Sequence, residues 1–124
     1  GDATAAARFM TAAATEAPLP FFLGAQARAM TLAGDSAGSA AVRAKLDAMG
    51  PAPGAAFGRV IAGLARDPVD VLFAGLARAA DERDPFVLLL PLRIAWYDRL
   101  RDDARFAALA ARLGLPPGST AALQ

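Results

Sequence analysis

Residues 20–54 read PFFLGAQARAMTLAGDSAGSAAVRAKLDAMGPAPG, and this stretch decides the fold. Apolar side chains recur at helical spacing on both sides of Gly34, with Leu23 and Met30 before it and Leu46 after it. Glycine commonly ends a helix, and the two prolines of the closing GPAPG cannot continue one. The stretch therefore predicts two antiparallel helices joined by a short turn.

The same helix-ending glycines and prolines divide the rest of the chain into helices. We expect a first helix from Asp2 to Glu16 and a fourth from Ala55 to Arg66. A fifth begins with Asp67 as N-cap and Pro68 at its first helical position. The apolar run 86–90 indicates a further buried helix. Because the chain is rich in Ala, Leu and Arg and poor in β-branched residues, the expected fold class is all-α.

The composition excludes several kinds of function. The chain has no Cys and no His, which rules out disulfides, Cys/His zinc sites and histidine-based catalysis within it. Its net charge of +1 gives no field that would attract nucleic acid or an anionic membrane. No segment reaches the roughly 18 apolar residues that span a bilayer. We therefore expect a cytoplasmic, non-catalytic chain with no metal or cofactor.

The helices also recur with a fixed period. Core positions, inter-helix turns and helix-ending prolines each repeat after 34 residues. The pairs are Leu23 and Phe57, Met30 and Leu64, Gly34 and Pro68, and Pro51 and Pro85.

A helix–turn–helix unit of 34 residues resembles the tetratricopeptide repeat (TPR). The resemblance implies antiparallel hairpins stacked as a short α-solenoid with a C-terminal capping helix. It makes residues 1–116 a single domain, in which a helix of a preceding partial repeat (1–17) is followed by repeats at 20–51 and 54–85 and by a C-terminal cap at 86–116. Residues 117–124 are expected to form a flexible tail. Ile61 and Phe73 depart from the family, which prefers small residues at those positions.

The C-terminal sequence WYDRLRDDARFAALAARLGLP is similar to the closing segment of TPR regions in bacterial multidomain transcription regulators and cyclases. The aromatic and apolar residues of this segment are expected to close the open core of the last hairpin. One of its two adjacent acids is expected to cap the final helix. The residues given this structural role are Trp96, Leu100, Asp102, Asp103 and Phe106.

In a TPR-like solenoid the first helix of each hairpin lines a concave groove. The resemblance places Phe21, Arg28 and Thr31 of the first repeat and Arg59 and Arg66 of the second on that groove. The smaller residues expected beside them are Ala55, Gly58 and Ala62. Arginine forks bind carboxylates well, so the expected partner is a protein or peptide, in particular an acidic one.

These features favour a protein-interaction or regulatory module of a larger bacterial cytoplasmic protein, with an effector domain such as a DNA-binding one upstream. Two alternatives stay open. One is a sensor that binds a small anion or metabolite in the groove, and the other is a structural homo-oligomerisation domain. The alanine-rich Asp2–Glu16 makes a poor polar cap, which predicts a homodimer. The other apolar residues that supported self-association are Phe21, Phe22, Phe86, Leu88 and Leu90.

Overall fold

The computed structural model of the chain describes residues 2–84 and 92–123. Within these ranges every regular element is a helix, so the predicted all-α class is confirmed. The elements are α1 (Asp2–Glu16), α2 (Pro20–Leu32), α3 (Ser36–Ala48), α4 (Ala55–Gly63), α5 (Val69–Asp81), a 3-10 helix (Ala95–Leu100) and α6 (Ala104–Arg112).

Helix α2 lies at the centre of the packing. It contacts α1, α3 and α4, whereas α4 also contacts α3 and α5, and α6 makes a smaller contact with α5. Helices α2 and α3 are joined by three residues, so they form the first expected hairpin, and α4 with α5 forms the second. The stacking of these hairpins as a repeat solenoid stays a prediction.

The two hairpins meet where α2 crosses α4, and this crossing needs glycine on both helices. A Cβ atom on Gly24 would lie 2.4 Å from the carbonyl oxygen of Gly58. A Cβ on Gly58 would lie 2.6 Å from the carbonyl oxygen of Pro20. Real Cβ atoms do not approach backbone oxygens so closely, so any larger residue would force the helices apart.

Two groups of buried side chains form the core. The larger lies between α4, α5, the 3-10 helix and α6, and Phe57, Tyr97 and Phe106 are its largest fully buried side chains. The smaller lies between α1, α2 and α3, around Leu23 and Leu46. The aromatic residues therefore concentrate in the second hairpin and its C-terminal cover.

Two helix boundaries differ from the sequence expectation. Helix α4 ends at Gly63 instead of Arg66, and the N-cap of α5 is Pro68 instead of Asp67. The carboxylate of Asp67 is held by Arg43 of α3, at 3.0 Å from Nη1 and 2.7 Å from Nη2. This bidentate pair takes up both carboxylate oxygens, which explains why Asp67 does not cap α5.

A buried carboxylate supports the start of α4. The N-cap residue Gly54 has no side chain, and Asp84, which follows α5, accepts a hydrogen bond from the backbone N–H of Phe57 at 3.2 Å. Asp84 is only 6% exposed. Negative charge at a helix N-terminus is favourable, so this bond joins the two ends of the second hairpin.

The C-terminal residues are attached to the body of the chain. Arg93 donates to the carbonyl of Ala121 at 3.0 Å, and Leu123 donates back to the carbonyl of Arg93 at 3.1 Å. The side chain of Arg101 also hydrogen bonds to the carbonyl of Thr120. These bonds connect residues 120–123 to residues 92–101, and the expected flexibility of the tail at 117–124 stays a prediction. The apolar run 86–90 and Pro85 lie outside the described residues.

The glycine crossing gives a prediction about stability. Gly24→Ala should lower the free energy of unfolding by about 1–3 kcal/mol, because the added methyl meets a backbone oxygen. Helix propensity alone would raise the free energy of unfolding by up to about 1 kcal/mol, because Ala favours a helix more than Gly does. The control is Gly75→Ala on α5, where the nearest atom is a methyl of Val60 that a small shift can move. Urea denaturation of both variants measures the difference, and a Gly24→Ala protein as stable as the wild type would contradict the close crossing.

Candidate binding site

The acidic side chains of the described residues do not form a metal-binding cluster. Among the described residues no group of three acids lies close enough together to hold a metal ion. Tyr97 is the most deeply buried titratable group, and its hydroxyl has no hydrogen-bond partner within the described chain. Burial raises the pKa of Tyr97, so its phenol stays protonated at neutral pH and is not a base.

The predicted groove arginines divide into different roles. Arg59 belongs to the scaffold: its Nη2 donates to the carbonyls of Leu46 (2.9 Å) and Gly50 (2.7 Å). These carbonyls lie at the end of α3, where helical partners are missing. Arg66 is exposed, and its side chain makes no hydrogen bond or ion pair within the described residues.

Phe21 and Thr31 face other parts of the protein. Phe21 is partly buried against the larger core and makes an edge contact with Phe22, with ring centroids 5.6 Å apart. The hydroxyls of Thr31 and Ser39 are 2.8 Å apart, and each lies 3.0 Å from the carbonyl oxygen of Ala27. Both hydroxyls therefore join α2 to α3.

The small residues of α4 that were expected beside the groove arginines do not line a groove. Ala55, Gly58 and Ala62 are all buried. The close approach of α2 and α4 at the glycine crossing places this side of α4 in the helix interface. The prediction that these three residues face the groove is therefore wrong.

Arg28 is the one predicted residue with an unusual environment. Its guanidinium carbon lies 4.3 Å from the centre of the Trp96 ring, which is the geometry of a cation–π contact. The side chain is half-buried, and its Nε is fully buried without a hydrogen-bond partner in the described chain. Burial lowers the pKa of Arg28 from its usual value, because no carboxylate offsets the loss of water.

The segment that carries Trp96 is fixed to the second hairpin. Arg99, on the same face of the 3-10 helix three residues later, donates to the carbonyls of Leu64 (3.0 Å) and Asp67 (2.6 Å). Arg101 donates to the carbonyl of Ile94 at 2.9 Å and pairs with Asp98 at 3.0 Å. The Trp96 ring is therefore held in place by bonds on both sides of it, and it covers one face of Arg28.

The other residues of the expected structural cap also have definite places. Leu100 and Phe106 are fully buried in the larger core with Tyr97. Asp103 is the N-cap of α6 and accepts from the backbone N–H of Arg105 at 2.9 Å, whereas Asp102 is exposed and makes no such bond. Of the two acids that the sequence left open, the structure assigns the cap to Asp103.

The contact between Arg28 and Trp96 was not foreseen from the sequence. The two residues are 68 positions apart, which equals two 34-residue periods, but this spacing did not indicate that their side chains touch. The sequence pattern placed Arg28 in the expected groove and Trp96 in the expected cap, as two separate features. Only the fold of residues 92–100 over the C-terminal end of α4 brings them together.

No protein family, no curated protein and no solved structure matches this chain. The similarity to TPR regions therefore stays a prediction from the 34-residue spacing. Among the described residues no helix is both long enough and apolar enough to span a membrane.

The α6 cap gives a prediction with a defined pH dependence. The guanidinium of Arg105 and, to a smaller extent, its backbone N–H donate hydrogen bonds to the Asp103 carboxylate. These bonds lower the pKa of Asp103 from 3.8 to about 2. Because the folded pKa is the lower one, ionised Asp103 stabilises the fold above about pH 4, and this contribution is lost as the pH falls towards 2. Asp103→Asn retains the capping oxygen but not the charge.

Urea midpoints of the wild type and Asp103→Asn should therefore differ at pH 7 and converge between about pH 4 and pH 2. Asp103→Ala should lose more stability than Asp103→Asn, because it also removes the cap. Asp102→Asn is the matched control and should change little. An equal effect of the two asparagine substitutions would argue against the charge contribution of Asp103, and an equal effect of Asp103→Ala and Asp103→Asn would argue against the cap.

Proposed function

We propose that this chain is a non-catalytic protein-interaction module that binds an acidic polypeptide segment at Arg28 and Trp96. The supporting observation is the unpaired guanidinium of Arg28. It is half-buried and stacked on an aromatic ring, and it has no carboxylate or carbonyl partner in the described chain. The other half-buried arginines, Arg43, Arg59 and Arg101, all donate hydrogen bonds to acceptors.

The energetics explain why an anionic ligand suits this position. A buried polar group without a hydrogen bond costs roughly 1–3 kcal/mol. A ligand carboxylate cannot reach the fully buried Nε, but it can accept from the terminal nitrogens of Arg28 and offset the partly desolvated charge, while Trp96 keeps the guanidinium plane in place. The ring of Trp96 also offers apolar contact to neighbouring side chains of the ligand.

The wider context is also part of this proposal. The sequence similarity to TPR regions supports placing the module in a larger bacterial cytoplasmic protein with a regulatory role, including regulation of transcription. In such a protein the acidic segment would belong to a partner protein or to another domain of the same chain. A small carboxylate metabolite is the competing ligand, because a single guanidinium binds free and peptide carboxylates by the same chemistry.

Trp96 is the only tryptophan, so its fluorescence reports on the site directly. A peptide of alternating Glu and Leu should change the emission of Trp96, and its Gln-for-Glu counterpart should not. Arg28→Met should weaken binding of the acidic peptide by about tenfold or more, which corresponds to losing a charge-assisted hydrogen bond. Arg28→Met should also leave the protein at least as stable as the wild type, since it removes an unpaired, partly buried charge.

The control variant is Arg78→Met, which removes an exposed arginine of α5 whose pair with Glu82 contributes little. It should bind the acidic peptide like the wild type. Unchanged binding by Arg28→Met would refute the proposed site. An equal response to acetate or citrate alone would instead identify a small-anion site and refute binding of a polypeptide.

A further inference from the structure

The outward face of α1 carries the most exposed large hydrophobic side chain among the described residues. Phe9 is 69% exposed, the highest value among the large hydrophobic residues. Ala5 and Ala12 are exposed on the same side, because residues four and three apart lie on one face of a helix. We call this surface, with Arg8 and Glu16, the Phe9 face.

The charges on the Phe9 face of one copy are complementary to those on the same face of a second copy. Arg8 and Glu16 are both exposed, and neither makes an ion pair or hydrogen bond within the described residues. Ala12 lies midway between them, four residues from each. A two-fold axis through Ala12 therefore brings Arg8 of each copy opposite Glu16 of the other, which forms two identical ion pairs.

We propose that the Phe9 face binds a second copy of this chain, with the two α1 helices antiparallel. The spacing of Ala5, Phe9, Ala12 and Glu16 alternates between four and three residues, which is the spacing of helices that pack along a shared seam. The small side chain of Ala12 at the axis allows the helices to approach closely. In this register Phe9 of each copy lies opposite Thr15 of the other copy and within one helical turn of its Ala12.

The neighbouring surface offers space for this contact. Arg8 and Ala12 also form one side of a cleft of about 490 Å³ between α1 and the end of α2, with Met30 and Ala33 on the opposite side. This cleft borders the Arg8 edge of the Phe9 face. The dimer surface is separate from Arg28 and Trp96, so this inference does not depend on the proposed peptide site.

Charge reversal tests both the dimer and its register. Light scattering of the wild type should show a mass that rises with concentration from 12.7 kDa towards twice that value. Arg8→Glu gives a copy with two acids on the face, and Glu16→Arg gives a copy with two arginines. Each variant alone should dimerise roughly tenfold or more weakly than the wild type, because both ion pairs become repulsive.

A mixture of the two variants should form a heterodimer, since every acid then faces an arginine. The double variant Arg8→Glu with Glu16→Arg should restore the homodimer. All three positions tested, Arg8, Glu16 and Arg78, are exposed, and far-UV circular dichroism should show that the variants stay helical. Arg78→Glu on α5 serves as the control and should dimerise like the wild type.

Two outcomes would overturn the proposal. A wild-type protein that stays at 12.7 kDa up to millimolar concentration has no such dimer. Single charge-reversed variants that dimerise as strongly as the wild type, with no gain on mixing, would show that a different surface or register is used.

Discussion

The structure depends on the contact between the backbones of α2 and α4. Gly24 and Gly58 let the two helices approach so closely that a single methyl on either would meet a carbonyl oxygen. This crossing joins the first hairpin to the second and places the larger core beside α2. The position of every later element, including the 3-10 helix that carries Trp96, follows from it.

Arginine side chains provide the second constraint. Arg59 binds the free carbonyls at the end of α3, and Arg99 does the same at the end of α4. Arg43 fixes the following turn through Asp67. Long side chains with several donors can thus satisfy helix ends that the glycine- and alanine-rich sequence leaves open. Among the half-buried arginines of the described chain, Arg28 is the exception because it has no hydrogen-bond acceptor, and this is why we propose it as a binding site.

The local features of the fold could be predicted from the sequence, whereas the long-range contacts could not. Gly34 marks the first hairpin turn, and the pair Asp102 and Asp103 marks the start of α6, because caps and breakers act over a few residues. Only the structure shows that Asp35 caps α3 and that Asp103 caps α6. Asp67 was wrongly expected to cap α5, since its partner Arg43 is 24 residues away. Arg28 fell among the expected groove residues, but nothing in the spacing indicated that an aromatic ring would cover it.

The sequence also contains a signal of the close crossing between α2 and α4. Gly24 and Gly58 are themselves 34 residues apart, in agreement with the period of the core positions. The groove assignment instead treated Gly58 as a surface residue. A glycine that recurs at the same place in two helices indicates a close helix crossing more often than an open surface.

The most direct test of this account is a double-mutant cycle on Gly24→Ala and Gly58→Ala, measured as free energies of unfolding in urea. Both substitutions force apart the same pair of helices, so the second should cost less once the first is present. We predict that the double variant is more stable than the sum of the two single losses implies, by roughly 0.5–3 kcal/mol. Strictly additive losses would contradict a shared contact between α2 and α4.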